Sequence, residues 1–105
     1  MIAPTLKELR ATADFVHTVL QRTPQIRWPL LCQRTGAEVW VKHENHQPVG
    51  AFKVRGGLVY MNELKQREPD VTGVIAATRG NHGQSIAFAA GACRTARCDR
   101  CAARK

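Results

Sequence analysis

The amino-acid sequence predicts an α/β protein with a mainly parallel sheet. Three observations support this: apolar patterns of helical and strand type alternate along the chain, glycine and proline separate them, and two polar loops follow the strand-like segments. Strands that alternate with helices are typical of parallel sheets, because each parallel connection has to cross over the sheet. The predicted order is helix, strand, loop, helix, strand, loop, helix. Two strands are too few for a stable open sheet, so the pattern looks unfinished.

The first helix is predicted from its start signal and its apolar stripe. Thr5-Leu6-Lys7-Glu8 is a capping-box pattern, in which a hydroxyl and a carboxylate satisfy backbone N–H groups. Apolar residues then recur every three or four positions, at Leu6, Leu9, Ala13, Val16 and Leu20. The helix should end by Thr23, because Pro24 disfavours helical geometry in the residue before it. The stretch 23–29 contains two prolines and is predicted to be a surface loop.

The remaining elements follow from changes in apolar period. Residues 38–42 alternate apolar with larger groups and are predicted to be a short strand, and the polar residues 43–50 a loop. A helix is expected from Lys53 to the Pro69-Asp70 pair, with one apolar face formed by Val54, Leu58, Met61 and Leu64. The apolar run 73–77 suits a buried parallel strand. A glycine-bracketed turn at 78–83 and a helix over 85–90, with Ile86, Ala87 and Ala90 inward, complete the prediction.

Both polar loops lie beyond the predicted carboxyl ends of strands, where α/β proteins bind ligands. Lys53 begins a helix, where the dipole disfavours a charged ammonium and so favours a nucleophilic amine, although such a lysine is more often simply solvated. In the second loop, Thr78 to Ser85, Gly80 and Gly83 would let backbone N–H groups approach an anion. The loop matches neither the dinucleotide nor the Walker pattern. Carboxylate binding, phosphate binding and a structural turn all remain open on these grounds.

The two loops together resemble the fold-type-II pyridoxal-phosphate (PLP) enzymes, the family of threonine and serine dehydratases and serine racemase. The lysine motif of that family is matched at Lys42, Glu44, Asn45, Gln47, Gly50, Phe52, Lys53, Arg55 and Gly56. The family's asparagine loop is matched at Gly80, Asn81, His82 and Gln84, and Arg22-Thr23-Pro24 resembles the segment that opens these domains. Two motifs in the right order are far more specific than either alone. The resemblance covers about residues 5–91.

The resemblance implies the tryptophan synthase β-like architecture in truncated form. Residues 1–52 would be the N-terminal part of the large domain, residues 53–91 the first part of the small domain with the asparagine loop, and residues 92–105 an atypical tail. Lys53 would hold PLP as a Schiff base and then remove the substrate Cα proton. Phe52 would pack beside the pyridine ring, and Asn81 would bind the cofactor's 3-hydroxyl oxygen. The substrate carboxylate would be received by the backbone of the loop formed by Thr78, Arg79, Gly80, Asn81 and His82.

The activity implied by the resemblance is conversion of L-threonine or L-serine to a 2-oxo acid and ammonia. Serine racemase and hydroxyaspartate dehydratase activities are alternatives, because relatives with these activities share the motifs. Ala51 and Thr78-Arg79 depart from the usual family residues, which is compatible with an acidic or hydroxylated substrate or with neutral variation. Intact members are commonly homo-oligomers that act on small amino acids, with no nucleic-acid or membrane partner. A cytoplasmic location is expected, because the N-terminus lacks signal-peptide features.

The tail differs in composition from the rest of the chain. The formal net charge is +8, and residues 92–105 hold five cations against Asp99 together with three of the four cysteines, but no Val, Ile, Leu or aromatic residue. Our hypothesis is that this segment is read in a shifted frame, since a one-nucleotide shift of GC-rich codons can restore a family-like helix end and strand. The competing interpretation is a small basic protein that binds nucleic acid or metal through this tail. Because family elements downstream would be missing, the chain alone is expected to be inactive or nearly so.

Overall fold

The computed structural model describes residues 3–93. Their elements in chain order are helix α1 (Leu6–Val19), strand β1 (Gln25–Arg27), helix α2 (Pro29–Thr35), strand β2 (Trp40–Lys42), a 3₁₀ turn (Glu44–His46), helix α3 (Lys53–Arg67) and helix α4 (Asn81–Ala92). The hypothesis of a shifted frame in the tail falls on residues that lie almost entirely outside the described range. Within that range no helix is long and apolar enough to cross a membrane.

Helix α1 begins with the predicted capping box. The Thr5 hydroxyl accepts a hydrogen bond from the Glu8 N–H at 3.3 Å, and the Glu8 carboxylate accepts one from the Thr5 N–H at 2.7 Å. The predicted start and the predicted end before Pro24 are confirmed. Only Val16 and Leu20 of the apolar stripe are buried, whereas Leu6 and Leu9 are exposed. The described part of the chain thus covers only the C-terminal half of the stripe.

The loop predicted over residues 23–29 is wrong, because this stretch contains β1 and the start of α2. Pro29 stands at the first helical position, where the missing N–H would have had no helical partner. Gly36 ends α2 in the left-handed region at φ 67°, which glycine adopts without steric cost. This short helix turns the chain back, so β1 and β2 pair antiparallel with Ile26 opposite Val41. The antiparallel pair differs from the mainly parallel sheet predicted, although strand 40–42 lies within its predicted range.

The apolar run 73–77 forms no strand in the described part of the chain. A strand requires a neighbouring backbone to satisfy its N–H and C=O groups, and the β1–β2 pair is the only sheet among residues 3–93. Ile75 is accordingly 80% exposed. The α/β class is confirmed, since residues 3–93 contain helices and a two-stranded sheet.

The core lies between α3 and α4, with the end of α1 packed against it. The predicted face of α3 is confirmed, since the core contains Val54, Leu58, Met61 and Leu64. Helix α3 ends at Arg67, before Pro69, as predicted. Helix α4 begins at Asn81 rather than Ser85, and its inner face contains Ala89 instead of the predicted Ala87, which is exposed. The glycine-bracketed loop is therefore partly helical.

Candidate active site

Lys53 is the first residue of α3, with an exposed side chain. Its Nζ lies 5.7 Å from the centroid of the Phe52 ring, within the range of a cation–π contact. The preceding turn is set by Gly50, whose φ of 67° is left-handed, and whose N–H donates to the Gln47 carbonyl at 2.8 Å. Buried Ala51 and Val54 flank the pair Phe52-Lys53. The backbone at Lys53 is thus anchored while its amine extends outward.

A groove of about 520 Å³ opens beside Lys53, between α3, α4 and the extended segment that precedes α4. This volume is within the usual range of small-molecule sites. Apolar groups and glycines form most of its wall, and its lining consists of Lys53, Gly56, Gly57, Tyr60, Val74, Ile75, Ala76, His82 and Ile86. The groove therefore brings together Lys53 and His82, one residue from each predicted motif. Phe52, Thr78, Arg79, Gly80 and Asn81 do not line it.

The asparagine loop is held by the Thr78 hydroxyl, which accepts hydrogen bonds from the N–H groups of Gly80 at 3.2 Å and Gly83 at 3.0 Å. Gly80 is the N-cap residue of α4 and has no side chain to cap the helix. The Thr78 hydroxyl, two residues earlier, takes over this capping role. Within residues 3–93 the Asn81 and His82 N–H groups donate no hydrogen bond. Unpaired N–H groups in a first helical turn can bind a carboxylate. The loop thus retains two backbone donors for the predicted anion.

Glu44 anchors a polar cluster to which the sequence interpretation assigned no role. Its carboxylate accepts from Arg55 Nε at 2.7 Å, from Arg55 Nη2 at 3.0 Å and from the Thr23 hydroxyl at 2.6 Å. Lys42 Nζ lies 3.5 Å from the same carboxylate and donates to Thr23 at 2.8 Å. All four residues were available as motif matches, which was the signal that could have revealed the cluster. It fastens β2 and the segment before β1 to the first turn of α3.

The charges of this cluster are mutually stabilised. The Arg55 hydrogen bonds lower the pKa of Glu44 to about 2, against partial burial that raises it, and the Thr23 hydroxyl and nearby Lys42 lower it further. The same hydrogen bonds raise the pKa of Arg55. Bidentate pairing between a guanidinium and a carboxylate fixes the relative orientation of the two groups as well as their distance. Arg55 is two residues after Lys53, so the cluster also orients the start of α3.

A second contact supports the same loop from the side of α2. The Trp28 indole N–H donates to His43 Nε2 at 3.0 Å, and the two ring centroids are 5.8 Å apart. Since indole nitrogen is only a donor, His43 Nε2 is the acceptor of this bond. The described residues contain no group of three or more side chains that could hold a metal ion.

Comparison with known proteins identifies the family. The family model described as pyridoxal-phosphate dependent enzyme matches residues 16–98, which is most of the chain. The chain belongs to this family. Its cofactor is pyridoxal phosphate, as predicted, and the predicted fold-type-II class is confirmed. The proposed domain limits and the roles of individual site residues stay predictions.

Several curated proteins are similar over most of this chain. L-threo-3-hydroxyaspartate ammonia-lyase of Saccharomyces cerevisiae is 38% identical over 90 residues, covering 86% of this chain and 27% of that protein. L-threonine ammonia-lyase of Thermotoga maritima is 36% identical over 86 residues, covering 82% of this chain and 21% of that protein. Serine racemase of Schizosaccharomyces pombe is 31% identical over 90 residues, covering 86% and 28%. The chain thus spans less than a third of the length of these relatives.

Two solved structures of related enzymes are similar in backbone to this chain. The crystal structure of a threonine deaminase from T.th. superposes with a TM-score of 0.74 at 31% identity, covering 90% of this chain and 33% of that one. A PLP-dependent aspartate racemase superposes with a TM-score of 0.81 at 28% identity, covering 92% and 31%. The backbone described above is therefore similar to part of these enzymes.

Proposed function

We propose that this chain is part of a PLP-dependent ammonia-lyase that converts L-threonine or L-serine to a 2-oxo acid and ammonia. The observation that carries the proposal is the groove in which Lys53 and His82 meet, one from the lysine motif and one from the asparagine loop. The similar proteins named L-threonine ammonia-lyase and threonine deaminase support the substrate class. A small amino acid is the proposed partner, and the cytoplasm the proposed location.

The groove suits the cofactor. Its lining includes the exposed primary amine of Lys53 and apolar groups that can contact a pyridine ring. Gly56 also lines the groove, and the space beside its Cα is empty to 4 Å. Bound PLP withdraws electrons from the substrate Cα, which makes the proton on that carbon removable. Lys53 would bind the cofactor through Nζ and, once released by the incoming substrate amine, take up that proton. The Asn81 and His82 N–H groups would orient the substrate carboxylate.

Loss of the Cα proton and of the β-hydroxyl removes one water molecule from threonine or serine. Hydrolysis of the product's C=N bond takes one water molecule up again and releases ammonia, so the balance is amino acid to 2-oxo acid plus ammonia. The role assigned to Lys53 in this scheme is proton transfer at Cα, and Asn81 and His82 act on the carboxylate.

An acidic substrate is the second candidate. Arg79 lies in the asparagine loop, is exposed and forms no ion pair within residues 3–93, so its guanidinium is available to a second carboxylate. The hydroxyaspartate ammonia-lyase and aspartate racemase among the similar proteins fit this alternative. A longer protein containing this chain would distinguish the candidates by its product: ammonia from threonine, ammonia from 3-hydroxyaspartate, or a change of chirality without ammonia.

Covalent trapping tests the role of Lys53. The purified chain is incubated with PLP, the visible absorbance of the lysine adduct is recorded, borohydride reduces it, and peptide mapping locates it. We expect the adduct on Lys53 and its loss in Lys53→Ala. Lys7→Ala is the matched control, because Lys7 is another exposed lysine of a first helical turn, in α1. Equal uptake of PLP by Lys53→Ala would contradict the assignment.

We expect the 105-residue chain by itself to release no ammonia from threonine above the rate of PLP alone. The groove is open, because Ile75 on its wall is 80% exposed and Phe52 beside Lys53 is 61% exposed. Catalysis requires the reacting groups to be held closely, and a displacement of about 1 Å can cost about a hundredfold in rate. An ammonia assay with glutamate dehydrogenase measures this, and release abolished by Lys53→Ala would show that the chain is active after all.

A further inference from the structure

We propose that Ser85 and Gly57 are a positioning pair, which fixes the backbone of Lys53 relative to the asparagine loop. The inference rests on the proposed function of Lys53 and adds two residues that are not among the matched positions of either motif. Ser85 is not a catalytic residue in this proposal, because its hydroxyl contacts the backbone of Lys53 and neither substrate nor cofactor.

The first observation is a long-range hydrogen bond to the lysine itself. Ser85 is 1% exposed, and its hydroxyl donates to the Lys53 carbonyl at 2.7 Å across 32 residues of sequence. Since a carbonyl has two lone pairs, it can accept this bond in addition to its helical one. Ser85 belongs to α4, one turn after His82. The bond therefore connects the residue that carries the amine to the helix that begins with the asparagine loop.

The second observation is the absence of a side chain at Gly57. A Cβ there would clash with Ser85 Oγ and would lie 3.1 Å from the Ser85 carbonyl oxygen. Gly57 lies within α3 and has no left-handed φ, so backbone conformation does not require glycine here. Glycine inside a helix is less stable than alanine. Because Gly57 has no side chain, α3 and α4 can approach closely, and this approach lets the Ser85 hydroxyl reach the Lys53 carbonyl.

Together, these two contacts hold the start of α3, which carries Lys53, at a fixed distance from the first turn of α4, which carries His82. Lys53 and His82 line the same groove from different helices, and Ser85 meets α3 at the residue that begins it. Without the hydroxyl, α4 would retain its apolar contacts but lose the polar bond that defines its register along α3. The amine of Lys53 would then sample the groove from a less defined starting position.

Affinity for PLP, measured through borohydride-trapped adduct on Lys53, tests the proposal. We expect Ser85→Ala to weaken saturation by PLP about three- to tenfold, the equivalent of one lost hydrogen bond. Ala90→Gly is the control, since it weakens α4 at a buried position without touching Lys53. At a temperature where both variants are folded by circular dichroism, Ala90→Gly should stay within about twofold of the natural chain. Equal affinity of Ser85→Ala and the natural chain would overturn the proposal.

A double variant separates positioning from general damage. Gly57→Ala should bind PLP more weakly than the natural chain, and Gly57→Ala combined with Ser85→Ala should bind better than Gly57→Ala alone, because the nearest atom to the new Cβ is then gone. No recovery in the double variant would refute the proposal that Gly57 and Ser85 act as a pair.

Ser85→Cys keeps a weak donor and replaces Ser85→Ala if that variant unfolds. It should bind PLP more weakly than the natural chain, and unchanged binding would refute the proposal. If the natural chain itself gives no Lys53 adduct, the proposed function fails instead.

Discussion

At the scale of single residues, Glu44 makes polar contacts with more separate segments than any residue to which the family resemblance assigns a catalytic or binding role. It joins Thr23, Lys42 and Arg55, which come from three separate segments. The bonds to Thr23 and Arg55 span 21 and 11 residues of sequence, so they restrict the chain more than bonds within one helix turn do. The cluster is partly buried, so its charges are less screened than those of a surface pair.

Glu44→Gln should lower the free energy of unfolding at neutral pH by about 1–3 kcal/mol, because it removes the charge from two hydrogen bonds to Arg55. The pKa of Glu44 falls from 4.5 to about 2 on folding, so its contribution is complete above about pH 4.5 and is lost as the pH falls towards 2. Urea titrations at several pH values measure this difference.

The matched control for that measurement is Glu63→Gln, which changes an exposed carboxylate of the same helix α3. It should leave stability within about 0.5 kcal/mol and preserve the acid-dependent loss. A Glu44→Gln chain whose stability still fell as steeply between about pH 4.5 and 2 would contradict the role given to this carboxylate.

At the scale of elements, the sequence was informative where a local signal and an apolar period agreed. Helix α1 had both a capping box and a stripe, and α3 had a face of four apolar residues that are all buried. β1 and α2 were missed because the prolines were interpreted only as breaks, whereas Pro29 starts a helix. The strand predicted at 73–77 depends on a neighbouring strand, which no local pattern can supply. The meeting of Lys53 with His82 followed from motif resemblance, while the Glu44 and Ser85 bonds needed three-dimensional proximity.

Two glycines allow backbone conformation to be tested at the element scale. An added Cβ would meet no atom within 4 Å at either Gly36 or Gly56, but Gly36 has φ +67° and Gly56 is helical. Gly36→Ala should therefore lower stability by about 1–2 kcal/mol and fray α2. Gly56→Ala should raise stability by about 0.4–1 kcal/mol. Thermal unfolding followed by circular dichroism checks both, and equal effects would show that φ is not the cause.

At the scale of the whole molecule, burial divides the described residues into two parts. The core consists of residues from α1, α3 and α4, whereas α2 contains no buried residue and the strands β1 and β2 none either. The part 25–42 is linked to α3 by polar contacts, because Lys42 contacts Glu44 and Glu44 is hydrogen-bonded to Arg55. The Trp28–His43 bond lies within the outer part and its edge. Stability should therefore come from the three helices, and the outer part should add little apolar burial of its own.

Two leucine truncations measure that division. Leu58 is 0% exposed in the core, whereas Leu30 of α2 is 79% exposed. Leu58→Ala should cost about 2–5 kcal/mol, through lost burial and a residual cavity. A small domain has only about 5 kcal/mol to lose, so much of this variant should be unfolded at 25 °C. Leu30→Ala makes the same chemical change outside the core and should stay within about 0.5 kcal/mol of the natural chain. Urea unfolding at one protein concentration compares them. A loss at Leu30 as large as the loss at Leu58 would mean that α2 is covered in solution and that the core extends beyond the three helices.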